Sequence, residues 1–184
     1  MKRFLSLVCS VLISVALFAQ ETSPAPQSSG QALSDTYRSI TLGMDIESVK
    51  EQLLSDGIFG YRGDRDVSLL PYKNRSLIET SGSSFIKRAF FQFYEEKLYI
   101  MIFMIDVDRM DYYSLYTTFV TKYGEPTSLD PAKALWKDER VIVTLERPLT
   151  VKYVDQAVFQ SLIADDSTGK AASDILREEF LGDF

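Results

Sequence analysis

The chain has no histidine, and its one cysteine, Cys9, lies in a leader-like N-terminal segment. Beyond that segment there is neither an imidazole to act as a general base near neutral pH nor a thiol to act as a nucleophile. The nitrogen and sulfur ligands of most transition-metal sites are missing with them. No intramolecular disulfide can form, so stability has to come from a packed core. Basic charge is also short, with 20 Lys and Arg against 26 Asp and Glu. An acidic chain offers no long-range attraction to nucleic acid or to anionic lipid. There is no Gly-x-Ser-x-Gly elbow, glycine-rich phosphate loop or EF-hand spacing. These absences point to a non-catalytic protein without a cofactor.

What is present begins with an export pattern. Lys2 and Arg3 precede an apolar stretch from Phe4 to Phe18 that is broken only by serines. As a helix those fifteen residues rise about 22 Å, less than the roughly 30 Å of a hydrocarbon core, so the segment reads as a cleaved signal rather than an anchor. Residues 1–19 are therefore expected to be a signal peptide, and the mature protein to be periplasmic or secreted with no transmembrane segment. Ser6-Leu7-Val8 before Cys9 is a poor lipobox, which argues against lipidation. Loss of Lys2 and Arg3 takes the formal net charge from −6 to −8.

Residues 20–32 carry Pro24, Pro26, serines and Gly30 with little to bury, as expected of a flexible linker. An α+β domain is expected over 33–164, followed by an acidic tail, partly helical, over 165–184. Asp45 is placed to cap a helix that ends near Ser55 and Gly57, with Ile46, Val49 and Leu53 on one face. Between Gly60 and Ser84 the pattern supports only short strands or loops. Phe85–Tyr94 and Leu98–Ile105 form the clearest hairpin. After Asp111, the residues Tyr112, Leu115, Tyr116, Phe119, Val120 and Tyr123 recur at helical spacing until Gly124 and Pro126. Strands are expected next at Ala134–Lys137, Val141–Arg147 and Val151–Val154. Asp155 then caps a short helix with Val158, Phe159 and Leu162. The fold class is α+β, an antiparallel sheet with helices packed on one face, built as two helix-plus-β-meander units.

Leu42-Gly43-Met44-Asp45-x-Glu47-x-Val49 and, later, Lys122-Tyr123-Gly124-Glu125-Pro126 before Trp136 and Val141–Leu145 form two motif groups. With them the chain resembles small bacterial envelope domains of the SmpA/OmlA and beta-lactamase-inhibitor-protein-like kind, over about Ile40 to Tyr153. The resemblance implies a twisted antiparallel sheet against helices and a binding or assembly role in the envelope. Departures are the missing lipobox and the missing proline after the first helix.

Other chemistry has simpler explanations. Asp106, Asp108 and Asp111 are one helix cap with solvated neighbours rather than a calcium loop, and Arg62-Gly63-Asp64 is too short to establish adhesion. The central hairpin is different because both of its alternations are apolar, while a single helical layer covers one face. Phe90, Tyr94, Tyr99, Met101 and Phe103, with Arg88, are the interaction candidates for an envelope protein or peptide. The alternative is a carrier or sensor of a small apolar ligand held between sheet and helices. A hydrolase using an atypical carboxylate or Ser-Lys site is third.

Overall fold

The structure is a computed structural model that describes residues 32–71 and 73–166. The expected signal peptide, nearly all of the linker and most of the acidic tail lie outside the described residues. A two-stranded hairpin, β1 (Thr36–Tyr37) and β2 (Ile40–Thr41), leads into helix α1 (Ile46–Ser55). A 3-10 turn at Gly63–Asp66 precedes four strands: β3 (Val67–Leu69), β4 (Arg75–Ser81), β5 (Ile86–Tyr94) and β6 (Lys97–Ile105). Helix α2 (Tyr112–Tyr123) then leads into four more: β7 (Ser128–Leu129), β8 (Lys133–Lys137), β9 (Val141–Glu146) and β10 (Thr150–Asp155). Helical backbone continues over 156–166, here α3.

Strands β3 to β10 form one antiparallel sheet in the order β3-β4-β5-β6-β10-β9-β8-β7. Each of α1 and α2 precedes a four-stranded meander, and the two meanders meet at their last strands, with Val151 opposite Phe103 and Tyr153 opposite Met101. Both helices open alike. Asp45 accepts from the Ser48 backbone N–H at 2.8 Å and Asp111 from that of Ser114 at 2.9 Å, each filling an otherwise unpaired donor of the first turn. They close differently. Gly124 takes a left-handed φ of 79° after α2, whereas α1 is ended by Asp56 in extended backbone. Gly57 is thus not the cap expected of it. Asp56 accepts there from Arg38 at 2.6 Å and from the Ile58 N–H at 3.2 Å.

Helices α1 and α2 lie on one face of the sheet. Val49, Leu53 and Phe119 descend onto Phe91, Phe93, Phe103, Trp136, Val143 and Leu145 in a single buried cluster. Fully burying each such side chain is worth about 1.5–3 kcal/mol, which suffices for a chain without staples. The region from Gly60 to Ser84, unpatterned in sequence, supplies the edge strand β3 and the seven-residue β4. Nor does the sequence pattern predict the two-residue strand β7.

The central hairpin departs from simple alternation at two bulges. Opposite Ile105 and Met104 stand Ile86 and Arg88, which leaves Lys87 as an extra residue; opposite Phe93 and Gln92 stand Leu98 and Ile100, which leaves Tyr99 as another. Each extra residue reverses the facing of the strand beyond it. Leu98, Met101 and Phe103 therefore all join the cluster beneath the helices, as does Ile86, while Ile100, Ile102 and Met104 face the other way.

Candidate functional site

That opposite face is covered in part by α3. Leu162 packs into a second buried cluster with Tyr99, Ile100 and Val154, flanked by Tyr94, Ile102, Ile142, Val158 and Phe159. Asp155 accepts from the Val158 N–H at 3.0 Å and so caps the helix that provides this cover, as its position in the sequence suggests.

The interaction candidates accordingly separate into three groups. Met101 and Phe103, 0% and 1% exposed, sit under α1 and α2 and are core residues. This corrects their reading as recognition residues; the Tyr99 bulge carries Met101 and Phe103 inward together with Leu98. Tyr99, 4% exposed, is closed off by α3, and its hydroxyl donates to Gln92 Oε1 at 3.2 Å. Tyr94 is half-buried at the rim of the same cluster. Phe90 is half-buried and Arg88 exposed, with Met104 nearby at 41% exposure. Ion pairs flank this remainder, Arg88 to Glu79 and Lys152 to Glu146, each at 2.6 Å. What stays open is a small apolar strip between charges, not the broad aromatic face that alternation implied.

Aromatic residues gather instead at the β7 edge. Tyr112, Tyr113 and Tyr116 from the first turns of α2, Leu129 at the end of β7, Pro131 from the β7–β8 turn, and Arg147 from the β9–β10 turn surround a groove of about 750 Å³. The Arg147 guanidinium lies 4.1 Å from the centroid of Tyr112. Its Nε donates to the Pro131 carbonyl at 3.0 Å, and the Tyr112 hydroxyl donates to the Leu145 carbonyl at 3.2 Å. Tyr112 and Tyr116 are stacked with centroids 6.4 Å apart, and Tyr116 leans on the buried Trp136. Three hairpin and helix ends are thereby locked to one another, and the wall of the groove is held in place by the core beneath it.

Two residues are left free by this packing: Tyr113 is 73% exposed and Leu129 60% exposed. The bordering carboxylates are engaged locally. Hydrogen bonds from the Ser114 hydroxyl and backbone N–H hold Asp111 below the usual carboxylate range, and Asp130 accepts from the backbone of Ala132 and Lys133. Burial raises the Tyr112 hydroxyl above its ordinary value while the adjacent Arg147 charge acts in the opposite direction. The hydroxyl is therefore neutral across the physiological range and keeps its one proton for the Leu145 carbonyl.

The equivalent position in the first unit is also a groove, of about 770 Å³, with Ile46, Glu47, Leu69, Leu70, Glu95 and Glu96 among its lining residues. No aromatic ring among the described residues lines it, so the two halves share a shape but not a chemistry. Helical spacing in the sequence places Tyr112 and Tyr116 on a buried stripe and gives no role to Tyr113. The available signal is Tyr113 itself, a large aromatic one position off that stripe.

These features define an α+β domain of two helix-plus-meander units sharing one antiparallel sheet, with its most exposed aromatic residue, Tyr113, at the β7 edge. Residues 35–165 match the TP0088 domain, and the chain belongs to that family. No curated protein and no solved structure matched the chain. No helix among the described residues is long and apolar enough to cross a membrane.

Proposed function

We propose that this is an exported, non-catalytic binding or envelope-assembly protein that holds a polypeptide partner in the Tyr112–Tyr113–Tyr116 groove at the β7 edge. The observation that carries the reading is Tyr113, a largely exposed ring in a groove whose other aromatic members are fixed by packing and by Arg147. Tyr and Arg are enriched among the residues that dominate interface energetics, and Tyr presents a large amphipathic ring at a small cost in side-chain entropy. A wall already rigid before binding lowers the ordering cost of association. Leu129 and Pro131 add apolar area on the opposite bank, suited to side chains of an extended segment.

Export is supported by the basic and apolar pattern of residues 1–19, and the non-catalytic role by the lack of histidine and of cysteine beyond that segment. The resemblance to envelope assembly domains agrees with both. The test is affinity capture from an envelope extract with the exported protein as bait. A defined partner should be recovered, lost with Tyr113→Ala and with Leu129→Ser, and retained with Phe90→Ala. Retention with both groove variants and loss with Phe90→Ala would move the site to the sheet face and overturn the groove. N-terminal sequencing of the extracytoplasmic product should begin near residue 20; an intact leader on a protein confined to the cytoplasm would overturn the export reading.

A further inference from the structure

A separate feature lies between α2 and the sheet, beside Tyr37 of β1. A cavity of about 180 Å³ is walled by Tyr37, Phe103, Leu115, Phe119, Val151 and Tyr153. Phe85, 50% exposed, is the one lining residue open to solvent, and the half-buried Met110 is a further member of the wall. Phe103 and Tyr37 approach with centroids 4.2 Å apart, and Tyr153 meets Phe103 edge-on at 6.3 Å. The walls are therefore ring faces and edges held by the main core. Among the described residues no charged side chain lines the space; two tyrosine hydroxyls are the only oxygen or nitrogen atoms that its side chains offer.

Size and lining together restrict the occupant. A dry apolar cavity of roughly 150 Å³ accepts benzene, whereas drug-sized ligands need about 300 Å³ or more. An ionised ligand would enter without a counter-charge and bear the full desolvation penalty. Aromatic edges favour another ring, placed offset or edge-on. We infer that this cavity is a binding site for a neutral, single-ring apolar molecule, entered past the exposed Phe85 and independent of the edge groove.

The test titrates the full exported chain with benzene and with toluene. Saturable binding with dissociation constants on the order of 0.1–1 mM is expected for ligands of this size. In the unmodified protein, intermolecular NOEs should connect the ligand protons to the methyl groups of Ile105, Leu115 and Val151. Leu115→Trp should fill the space and weaken binding at least tenfold while the far-UV spectrum stays unchanged. If that variant fails to fold, the NOE pattern alone decides. Absence of saturation up to about 5 mM, or NOEs that run to Tyr113 and Leu129 instead, would overturn the inference.

Discussion

The guanidinium of Arg147 is stacked over the ring of Tyr112 at 4.1 Å, joining the β9–β10 turn to the first turn of α2 across 35 residues of sequence. An exposed cation–π pair contributes about 0.5–1 kcal/mol, and the Nε bond to Pro131 adds a similar amount. Arg147→Ala is expected to lower unfolding free energy by about 1–2 kcal/mol in urea titrations and also to loosen the groove. Tyr113→Ala should leave stability within about 0.5 kcal/mol, because its ring packs on nothing that folding needs. Equal destabilisation by the two would mean that Tyr113 is structural.

The two faces of the central hairpin should differ sharply in mutational cost. Phe103→Ala removes a ring enclosed by Tyr37, Phe91 and Tyr153, and is expected to cost about 3–5 kcal/mol. Phe90→Ala, on the half-open strip, should cost under about 1.5 kcal/mol. Chemical denaturation of both variants measures the difference, and similar values would contradict the facing set by the bulges.

Glu95 and Glu96 form the two-residue turn between β5 and β6 with φ of 49° and 62°, a left-handed pair that glycine and asparagine adopt more readily. The conformation is enforced from outside the hairpin, since Glu95 donates its N–H to the Asn74 carbonyl and the Glu96 carbonyl accepts from Ile46 at the start of α1. The double substitution Glu95→Asn with Glu96→Gly keeps those backbone bonds and should raise stability by about 0.5–2 kcal/mol, read as a higher melting temperature. A fall would show that the glutamate side chains are required for the fold.

Acid sensitivity originates in the capping carboxylates. Hydrogen bonds from Ser48 and Ser114 hold Asp45 and Asp111 below their ordinary values. At Asp138 burial pushes upward, but backbone donors at Val141, Arg140 and Leu33 outweigh it and leave that group low as well. A depressed folded value means that the unfolded chain takes up protons first. The stabilisation is complete above the unfolded value of about 3.9 and is lost as pH falls through the lower folded value. Melting temperature should be flat between about pH 5 and pH 9 and drop below about pH 4. Asp111→Ala should lower it by about 2–4 °C at pH 7, with a deficit that shrinks toward pH 3.

Cover of the second face rests on α3. Leu162→Asp places a charge between Tyr99, Ile100 and Val154, and should release the helix and expose those residues. The expected readout is increased binding of a hydrophobic dye with the main β-sheet signal retained. Unchanged dye binding would mean that the helix is not what excludes water there.

Helices α1 and α2, their Asp caps, the central hairpin and strands β8 to β10 were legible in the amino-acid order, because helical spacing, capping chemistry and β-prone runs act over a few residues, whereas β4 and β7 were not. The same order shows that both sides of the central hairpin are apolar. Which side is shut, and by what, follows from long-range packing. A period of two carries facing information only until an extra residue intervenes, and the bulges at Lys87 and Tyr99 leave no mark in composition. Cover by α3 and the assembly of Tyr113, Leu129 and Arg147 into one groove depend on contacts between distant segments, which local pattern cannot encode.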